Sequence, residues 1–544
     1  VVAASMLNDK EKAFDITELA RRAAFYSILQ NNTPAALQLG PRHLALRIMF
    51  EGTGSDVADV QQERNMLAMD FAKFGQLSDK VSEIKKKLFD IPIVPKEDSQ
   101  IELQRKLLAD LNAVSLEQEL MLRPIALSRT KVSTVFPQIV KVDKFRKELP
   151  EKTAMLLFYE DAIGEMHGFL VDRHSLQSWV IKNPRSEPAL GQLITNYLDA
   201  IGNRRDGNSI LRVKEDIIDS DKKWKTAGNV LLRRLLGQTR NVNFNELVVI
   251  PYGRLWYVPF EALAVQVDEE LRPLISASND PITIRYAPMA SLGIPKKAAA
   301  RSKVDETLVI YGNLMGKNDS AAALEAIDRY TKDNMIKNMA LMPSKVSESK
   351  LPDFPGTASS FATQVKQLVV LDDVPAINLQ LLEWSPFTND KNRTKNPVAS
   401  WLTLPWGSPQ LVVLPAFHTP AESSLRTSGT TKILPNGNDI FMTAMALEAC
   451  GAKTILLNRW RAGGRSTYDL VGEFMKAYPD MPAANAWRQA ILNVGIKQVE
   501  VEQEPRIKIT PKDEKPLAAH PFFWSSFILI DRGEIVGNNE EKNE

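Results

Sequence analysis

The sequence predicts an α/β fold in which a mostly parallel sheet is flanked by helices and preceded by an α-helical N-terminal region. From about residue 150 onward, short apolar runs alternate with amphipathic stretches, as expected for strands connected by helices. Several of these runs are apolar at every position, which is typical of strands buried on both faces of a parallel sheet. The 544 residues are 44% hydrophobic and 25% charged, so the chain has enough apolar content to bury such a sheet.

The first part of the chain, residues 1–125, is predicted to be helical. Two sets of apolar residues recur at helical spacing: Leu77, Val81, Ile84 and Leu88, and then Leu103, Leu107, Leu111 and Val114. This spacing places each set on one face of a helix, and Pro92 and Pro95 between them indicate the turn of an antiparallel pair. We interpret both faces as core packing.

A helix start is also predicted closer to the N-terminus. Asp15, Ile16, Thr17 and Glu18 have the form of a capping box, in which the first and last side chains satisfy free backbone N–H groups. Phe14 precedes the box and is placed to act as a hydrophobic staple. These residues predict that a helix begins at about Asp15.

The remaining chain, residues 126–533, is predicted to form one α/β domain. Its strands are predicted at 153–159, 168–171, 247–250, 282–284, 308–310, 411–414, 454–457 and 527–530. Helices are predicted near 188–201, 224–236, 358–369, 439–450, 466–477 and 483–494. Residues 534–544 are predicted to be a disordered acidic tail.

Several classes of function are disfavoured by composition. With 68 basic and 66 acidic residues the chain has no general attraction for nucleic acid or anionic membranes, and no apolar run reaches the roughly 18 residues that span a bilayer. The single cysteine, Cys450, excludes internal disulfides, so a reducing compartment such as the cytoplasm is favoured over secretion. Glycine-rich phosphate loops and metal-ligand spacings are absent, and we therefore expect no cofactor and no metal.

Five segments, in chain order, resemble one family. They are residues 247–263 (LVVIPYGRLWYVPFEAL), 284–292 (IRYAPMASL), 396–402 (NPVASWL), 451–460 (GAKTILLNRW) and 520–530 (HPFFWSSFILI). Together they resemble the CHAT domain, a caspase-like cysteine-peptidase module often found beside tetratricopeptide repeats. The resemblance implies a caspase-like sheet over roughly residues 130–533, in which a cysteine and a histidine form the catalytic dyad.

Both dyad positions carry aromatic residues in this chain. The family cysteine follows a buried strand, and the matching segment 411–420 (LVVLPAFHTP) has Phe417 at that position. The family histidine follows an earlier strand, and the matching segment 379–385 (LQLLEWS) has Trp384. The resemblance therefore implies a degenerate dyad, and we expect the two rings to pack against each other. The predicted function is a catalytically inactive, protein-binding or regulatory module, with no catalytic residue.

Other interpretations stay open. In one, the chain is an active hydrolase whose nucleophile has moved close to His418, since Thr419, Ser423 and Ser424 are near in sequence. In another, the helical N-terminal region mediates assembly and the role is purely structural. The remaining reactive groups have simpler explanations: Cys450 is predicted to be an inert small hydrophobe and His520 a structural residue. Arg459, Arg461 and Arg465 are predicted to lie on a solvated loop, or alternatively to bind an acidic partner.

Overall fold

A computed structural model describes residues 9–32, 76–128, 141–344, 365–375, 384, 409–419 and 437–535, with short gaps inside these ranges. Its α-helices are α1 (Lys10–Asn32), α2 (Asp98–Ser128), α3 (Val142–Glu148), α4 (Leu190–Ala200), α5 (Asp221–Leu236), α6 (Ala321–Lys332), α7 (Asn438–Cys450), α8 (Arg465–Ala477) and α9 (Ala483–Gly495). The described positions between 76 and 88 are also helical.

One large sheet organises the molecule. Its strands are β1 (Thr153–Glu160), β2 (Met166–Val171), β3 (Leu176–Ile181), β4 (Glu246–Ile250), β5 (Thr283–Tyr286), β6 (Thr307–Tyr311), β7 (Met339–Pro343), β8 (Gln367–Leu371), β9 (Leu411–Leu414), β10 (Thr454–Asn458) and β11 (Phe527–Asp531). Their order across the sheet is β7-β6-β8-β9-β10-β11-β5-β4-β1-β2-β3. Two-residue strands add small pairings elsewhere, among them Phe417–His418 with Val374–Pro375 and Glu534–Ile535 with Lys296–Lys297.

The sheet contains two parallel halves that run in opposite directions. Strands β7, β6, β8, β9 and β10 are mutually parallel, and so are β1, β4, β5 and β11. β10 and β11 pair antiparallel, and this pairing joins the two halves in opposite directions. As a result, the carboxyl ends of the strands in the two halves lie at opposite edges of the sheet.

Helices cover both faces, and this confirms the predicted mostly parallel sheet flanked by helices. Along β9, Val412 and Leu414 face a core shared with α4, α5 and α7, whereas Leu411 and Val413 face a core shared with α6, α8 and α9. α1 and α3 pack on the latter side beside β1 and β4. The central strands β8, β9 and β10 are buried at every position because one helical layer or the other covers each residue.

Most predicted elements are confirmed within a residue or two, but one is wrong. The predicted helix 358–369 overlaps β8, a fully buried central strand. Its residues Leu368, Val369 and Val370 are apolar in succession, and a short run of this kind does not distinguish a strand from a buried helix. The edge strands β3 and β7 were not predicted, because their half-exposed residues lack a continuous apolar run.

The predicted helical pair near residues 77–114 is present in the described positions. Leu77, Val81 and Leu88 are buried, and the last two share a small core with Leu107 and Leu111 of α2. This satellite core is separate from the cores of the large sheet, as expected for a packed helical hairpin.

The predicted capping box is wrong. α1 begins at Lys10, five residues earlier than expected, and Asp9 Oδ1 accepts a hydrogen bond from the backbone N–H of Lys12 at 3.0 Å. Thr17 lies inside the helix, where its Oγ1 donates to the Ala13 carbonyl at 2.8 Å. Asp15 and Glu18 form long-range contacts instead of capping their own helix.

The two domain boundaries stay predictions, but the structure adds two observations. α1 packs directly on the sheet, since the Phe14 ring lies 5.4 Å from that of Phe145 and 6.1 Å from that of Phe169. The tail predicted from residue 534 begins with a short strand, Glu534–Ile535, and its other residues lie outside the described part of the chain. None of the described helices is both long and apolar enough to cross a bilayer.

Candidate functional site

The candidate site lies at the carboxyl ends of β6, β8, β9 and β10, which we call the aromatic edge. In open parallel sheets ligands bind at this kind of edge, where neighbouring connections leave in opposite directions. β6 is such a point, because the chain continues from it to β7 on one side and then to β8 on the other.

Between the carboxyl ends of β6 and β8, the side chain of Asp372 binds the backbone. Asp372 Oδ1 accepts a hydrogen bond from the backbone N–H of Asn313 at 2.6 Å, and the Gly312 N–H donates to the Leu371 carbonyl at 2.9 Å. A Cβ at Gly312 would overlap both Asp372 and Ser344, so only glycine fits here. Sequence reasoning missed these residues; a glycine and an aspartate directly after two buried strands were the available signal.

The next strand, β9, leads to Phe417, the residue predicted from the sequence to stand at the nucleophile position. After β9 the chain turns through Pro415 and Ala416, and Phe417 then pairs with Val374 in a short parallel strand. The Phe417 ring is fully buried and Trp384 is 3% exposed. Their ring centroids are 5.1 Å apart with an interplanar angle of 66°, an edge-to-face contact. The two rings are therefore in contact, as expected from the sequence, and they fill the space at the end of β9.

His418 lies beside this aromatic pair and is partly exposed. Its Nε2 is 3.0 Å from Asp373 Oδ1, and the two side chains are 14% and 18% exposed. Aspartate next to histidine is the arrangement that orients an imidazole as a general base. Of the hydroxyl groups near His418 in sequence, Thr419 is buried, and Ser423 and Ser424 lie outside the described residues.

Tyr257, close to Thr419, forms a buried polar contact with Asp439. The Tyr257 hydroxyl donates a 2.7 Å hydrogen bond to Asp439 Oδ1 at the start of α7. Burial, together with the negative charge and hydrogen bond of Asp439, raises the pKa of Tyr257 well above its usual value, and a hydrogen bond with Thr419 opposes this rise. The phenol therefore stays protonated and holds α7 against the segment after β4.

The prediction that Arg459 lies on a solvated loop is wrong. Arg459 follows β10 and is fully buried, with its Nη1 3.2 Å from Glu261 Oε1. Its guanidinium lies 4.9 Å from the centroid of the Tyr286 ring and donates to the carbonyls of Trp256 and Ser525 at 3.3 and 3.0 Å. Glu261 sits inside an otherwise apolar segment, and such a carboxylate signals a buried partner.

The other two arginines of that predicted cluster do not join it. Arg465 is half-buried at the start of α8, where its Nε lies 3.8 Å from Asp469 Oδ2. Arg461 lies outside the described residues. The structure therefore does not support the basic cluster as one surface.

The remaining predicted site residues have structural surroundings. His520 is buried, and its Nδ1 accepts a hydrogen bond from the Phe522 N–H at 3.2 Å, which caps a short 3₁₀ turn. Cys450 ends α7, and its side chain lies outside the described part of the structure. The matched segment 396–402 also lies outside it.

One group of possible metal ligands was not predicted. Asp161, Glu165 and His167 meet at the β1–β2 hairpin, with ligand atoms within 4.8 Å of one another. Asp161 is already engaged: its Oδ2 lies 2.7 Å from His167 Nε2, and its Oδ1 accepts from the backbone N–H groups of Ile163 and Glu165. These contacts stabilise the turn, and we assign the group that role.

At the opposite edge, the carboxyl ends of β1, β4 and β5 are covered by α1, and we call this the helix-capped edge. The Arg21 guanidinium donates to the backbone carbonyls of Phe158, Ile250, Pro251 and Pro288. Glu18 accepts hydrogen bonds from the backbone N–H groups of Ala290 and Ser291, at 2.9 and 3.2 Å.

Comparisons with known proteins match this chain to solved structures. No family model and no curated protein sequence matches the chain. Similar solved structures include two crystal structures of the Saccharomyces cerevisiae separase–securin complex. The first has 8% identity and a TM-score of 0.40, covering 84% of this chain and 40% of that chain. The second has 9% identity and a TM-score of 0.34, covering 89% and 42%.

This chain thus spans about two fifths of the length of those matched chains. At such low identity and TM-score the likeness carries no argument about activity or partners. The α/β class stated above is established by the sheet itself.

Proposed function

We propose that this chain is a catalytically inactive, caspase-like protein of the CHAT type that acts by binding other proteins or regulating them. The observation that carries the proposal is the buried contact of Phe417 with Trp384 at the aromatic edge. A benzyl group cannot attack a carbonyl, and an indole cannot replace imidazole as a proton acceptor.

The surroundings of this pair support the proposal. The two rings pack against each other after β9, and Asp372 binds the backbone after β6. Five segments that resemble the CHAT family nevertheless keep their order along the chain. A fold retained without its reactive groups is consistent with a role in binding, for which a protein partner is the proposed ligand.

A direct test is activity-based labelling of the purified full-length chain. We expect no specific labelling by a fluorophosphonate probe and no cleavage of a mixed peptide library. His418→Ala and Asp373→Asn serve as matched variants, because both remove one member of a partly exposed pair. Labelling of the unmodified chain that both variants abolish would contradict the proposal.

The second candidate function is a hydrolase that uses His418. The observation in its favour is the 3.0 Å contact of His418 with Asp373, since an oriented imidazole is part of a general-base catalyst. It requires a serine or threonine hydroxyl in reach of the imidazole. Peptide mapping of a labelled residue would identify that hydroxyl, and labelling elsewhere on the chain would count against this candidate.

The residue correspondence itself is testable by restoring the dyad. In a Cys450→Ser background, Phe417→Cys and Trp384→His together are expected to produce a thiol whose alkylation by iodoacetamide at pH 6 to 7 is faster than in Phe417→Cys alone. A nearby imidazole lowers the pKa of a thiol and so raises the thiolate fraction. Equal rates in the two variants would show that position 384 is not the counterpart of the family histidine.

A further inference from the structure

The helix-capped edge binds α1 through groups that the sheet provides by itself. Its acceptors are backbone carbonyls at and beyond the carboxyl ends of β1, β4 and β5, and its donors are two N–H groups of the turn Ala290–Leu292. The Phe158 and Ile250 carbonyls belong to strands, and the other groups lie in the turns that follow them. The binding surface therefore consists of backbone groups outside α1.

This surface matches one pattern of side chains on a helix. Glu18 and Arg21 are three residues apart and lie on the same side of α1, where the carboxylate meets N–H donors and the guanidinium meets carbonyl acceptors. The guanidinium also lies 5.7 Å from the centroid of the Tyr252 ring, which packs at 5.2 Å on Tyr159. Carbonyl oxygens and a ring face both favour a cation at this position.

Two further contacts extend the pattern toward the start of α1. Asp15 Oδ1 accepts a 3.2 Å hydrogen bond from the Val142 N–H, the first helical residue of α3. Phe14 inserts between Phe145 and Phe169. The recognised sequence is therefore a helix with the order Phe-Asp-x-x-Glu-x-x-Arg, of which positions 14–21 are one example.

The contact is specific, but part of its free energy is lost to desolvation. Among the described residues no carboxylate lies within ion-pair distance of Arg21, and Arg21 Nε has no hydrogen-bond acceptor. Burial lowers the pKa of Arg21 to about 10, which shows that the charged form is less favourable here than in water. Burying a cation that lacks a facing carboxylate weakens association. In sequence, 43 residues (33–75) separate α1 from the next described helical position.

We propose that the carboxyl ends of β1, β4 and β5 form a docking site for a helix of this pattern, and that α1 is its reversible occupant within the chain. The site is distinct from the aromatic edge, and the proposal holds whether or not the chain has hydrolase activity. Docking of α1 would then exclude any other helix with the same pattern.

The test uses the full chain with a loop containing a specific protease site inserted near residue 50. After cleavage, the chain is expected to stay folded by circular dichroism, and a fluorescent peptide of residues 9–32 should exchange into the site, measured by anisotropy. Peptides with Glu18→Gln or Arg21→Gln should bind at least about tenfold more weakly, because each loses charge-assisted hydrogen bonds. Glu11→Gln and Lys12→Gln, on the exposed side of α1, should bind like the unmodified peptide.

Three results would overturn the proposal. The cleaved chain could unfold, which would make α1 an inseparable part of the core. The labelled peptide could fail to bind a folded, cleaved chain. Alternatively, all four altered peptides could bind as tightly as the unmodified peptide.

Hydrogen exchange on the uncut chain provides an independent measurement. The backbone amides of Ala290 and Ser291, which donate to Glu18, should exchange through a local opening of this edge. Their exchange should be faster in the Glu18→Gln variant than in the Glu11→Gln variant. Exchange of these two amides only upon global unfolding would also contradict reversible docking.

Discussion

The two carboxyl edges of the sheet are closed in different ways. At the aromatic edge, segments that directly follow the strands bring Phe417 and Trp384 into an apolar contact. At the helix-capped edge, a helix far away in sequence supplies Glu18 and Arg21, which bind backbone groups. The first edge is closed by residues close in sequence to its strands, whereas the second is closed by a remote helix through both polar contacts and the buried Phe14, and we propose that only the second can open without unfolding the sheet.

The largest expected effect compares two buried arginines. Arg459→Met should lower the free energy of unfolding by about 3–5 kcal/mol, because Glu261 would be left buried without its partner. Arg21→Met at the helix-capped edge removes contacts to backbone carbonyls and to the Tyr252 ring and should cost less, about 1–3 kcal/mol. Urea titrations of both variants provide the measurement.

A double variant controls for this comparison. Replacing both Arg459 and Glu261 by Met should restore much of the lost stability, because an apolar pair leaves no buried charge. If Arg21→Met were as costly as Arg459→Met, the helix-capped edge would be as integral to the fold as the buried ion pair.

Phe417→Ala should have the next largest effect, about 3 kcal/mol, since it leaves a cavity beside Trp384. The matched variant Trp384→Phe keeps an aromatic ring and removes an indole N–H that has no acceptor among the described residues, so it should cost less. Denaturation midpoints with unchanged m-values would measure both. A cost below about 1 kcal/mol for Phe417→Ala would show that the aromatic edge is loosely packed.

A pH dependence is expected next to the aromatic edge, where Glu504 accepts a 2.7 Å hydrogen bond from the Ser466 N–H at the start of α8. Burial raises the pKa of Glu504 from 4.5 to about 8, and the hydrogen bonds from Ser466 oppose this rise. Between these values the folded chain holds a proton that the unfolded chain has lost. The free energy of unfolding should therefore fall as pH rises from 4.5 to about 8, by at most about 1.4 kcal/mol per unit.

Glu504→Gln is expected to reduce the pH dependence of the free energy of unfolding. The measurement is the melting temperature of both proteins between pH 5 and 8.5. A residual slope of the same sign is expected from Glu448, whose pKa burial raises to about 7 despite the nearby Arg532. Identical slopes in the original chain and the Glu504→Gln variant would contradict the assignment.

The smallest expected effect is at the helix-capped edge. Asp15→Ala removes the acceptor for the Val142 N–H and should cost about 1 kcal/mol, as for other helix caps. Hydrogen exchange should accelerate in α3 and in the first turns of α1, while β9 and β10 stay unchanged. Glu11→Gln is the control, and acceleration across the whole sheet would show that the edge does not open locally.

Patterns that depend on burial were predictable from the sequence, and contacts between distant segments were not. The run at 411–414 is apolar at each position, so its place as a central strand followed from composition. The residues after it, including Phe417, could then be placed at the end of that strand. β8 was missed because its short apolar run adjoins residues that also suit a helix.

Asp15 and Glu18 show why part of the site could not be predicted. Their spacing fits a local cap, and the same two carboxylates serve equally well as caps for N–H groups of other elements. Arg459 was assigned to solvent because it was grouped with the nearby Arg461 and Arg465, although its partner Glu261 lies almost 200 residues earlier. Side chains whose partners are that distant leave no local signal.

The pairing of β11 with its parallel neighbour β5 has a mechanical consequence. β11 joins β5 through the register pair Ile530–Tyr286, and Arg285 reinforces the junction by donating to the Asp531 carbonyl at 2.8 Å. A joint of one backbone pair resists shear far less than the ladders of four to six pairs on either side. A force that pulls β10 and β4 apart along the strands should therefore rupture the sheet first at this seam, into two parts that each keep one parallel ladder.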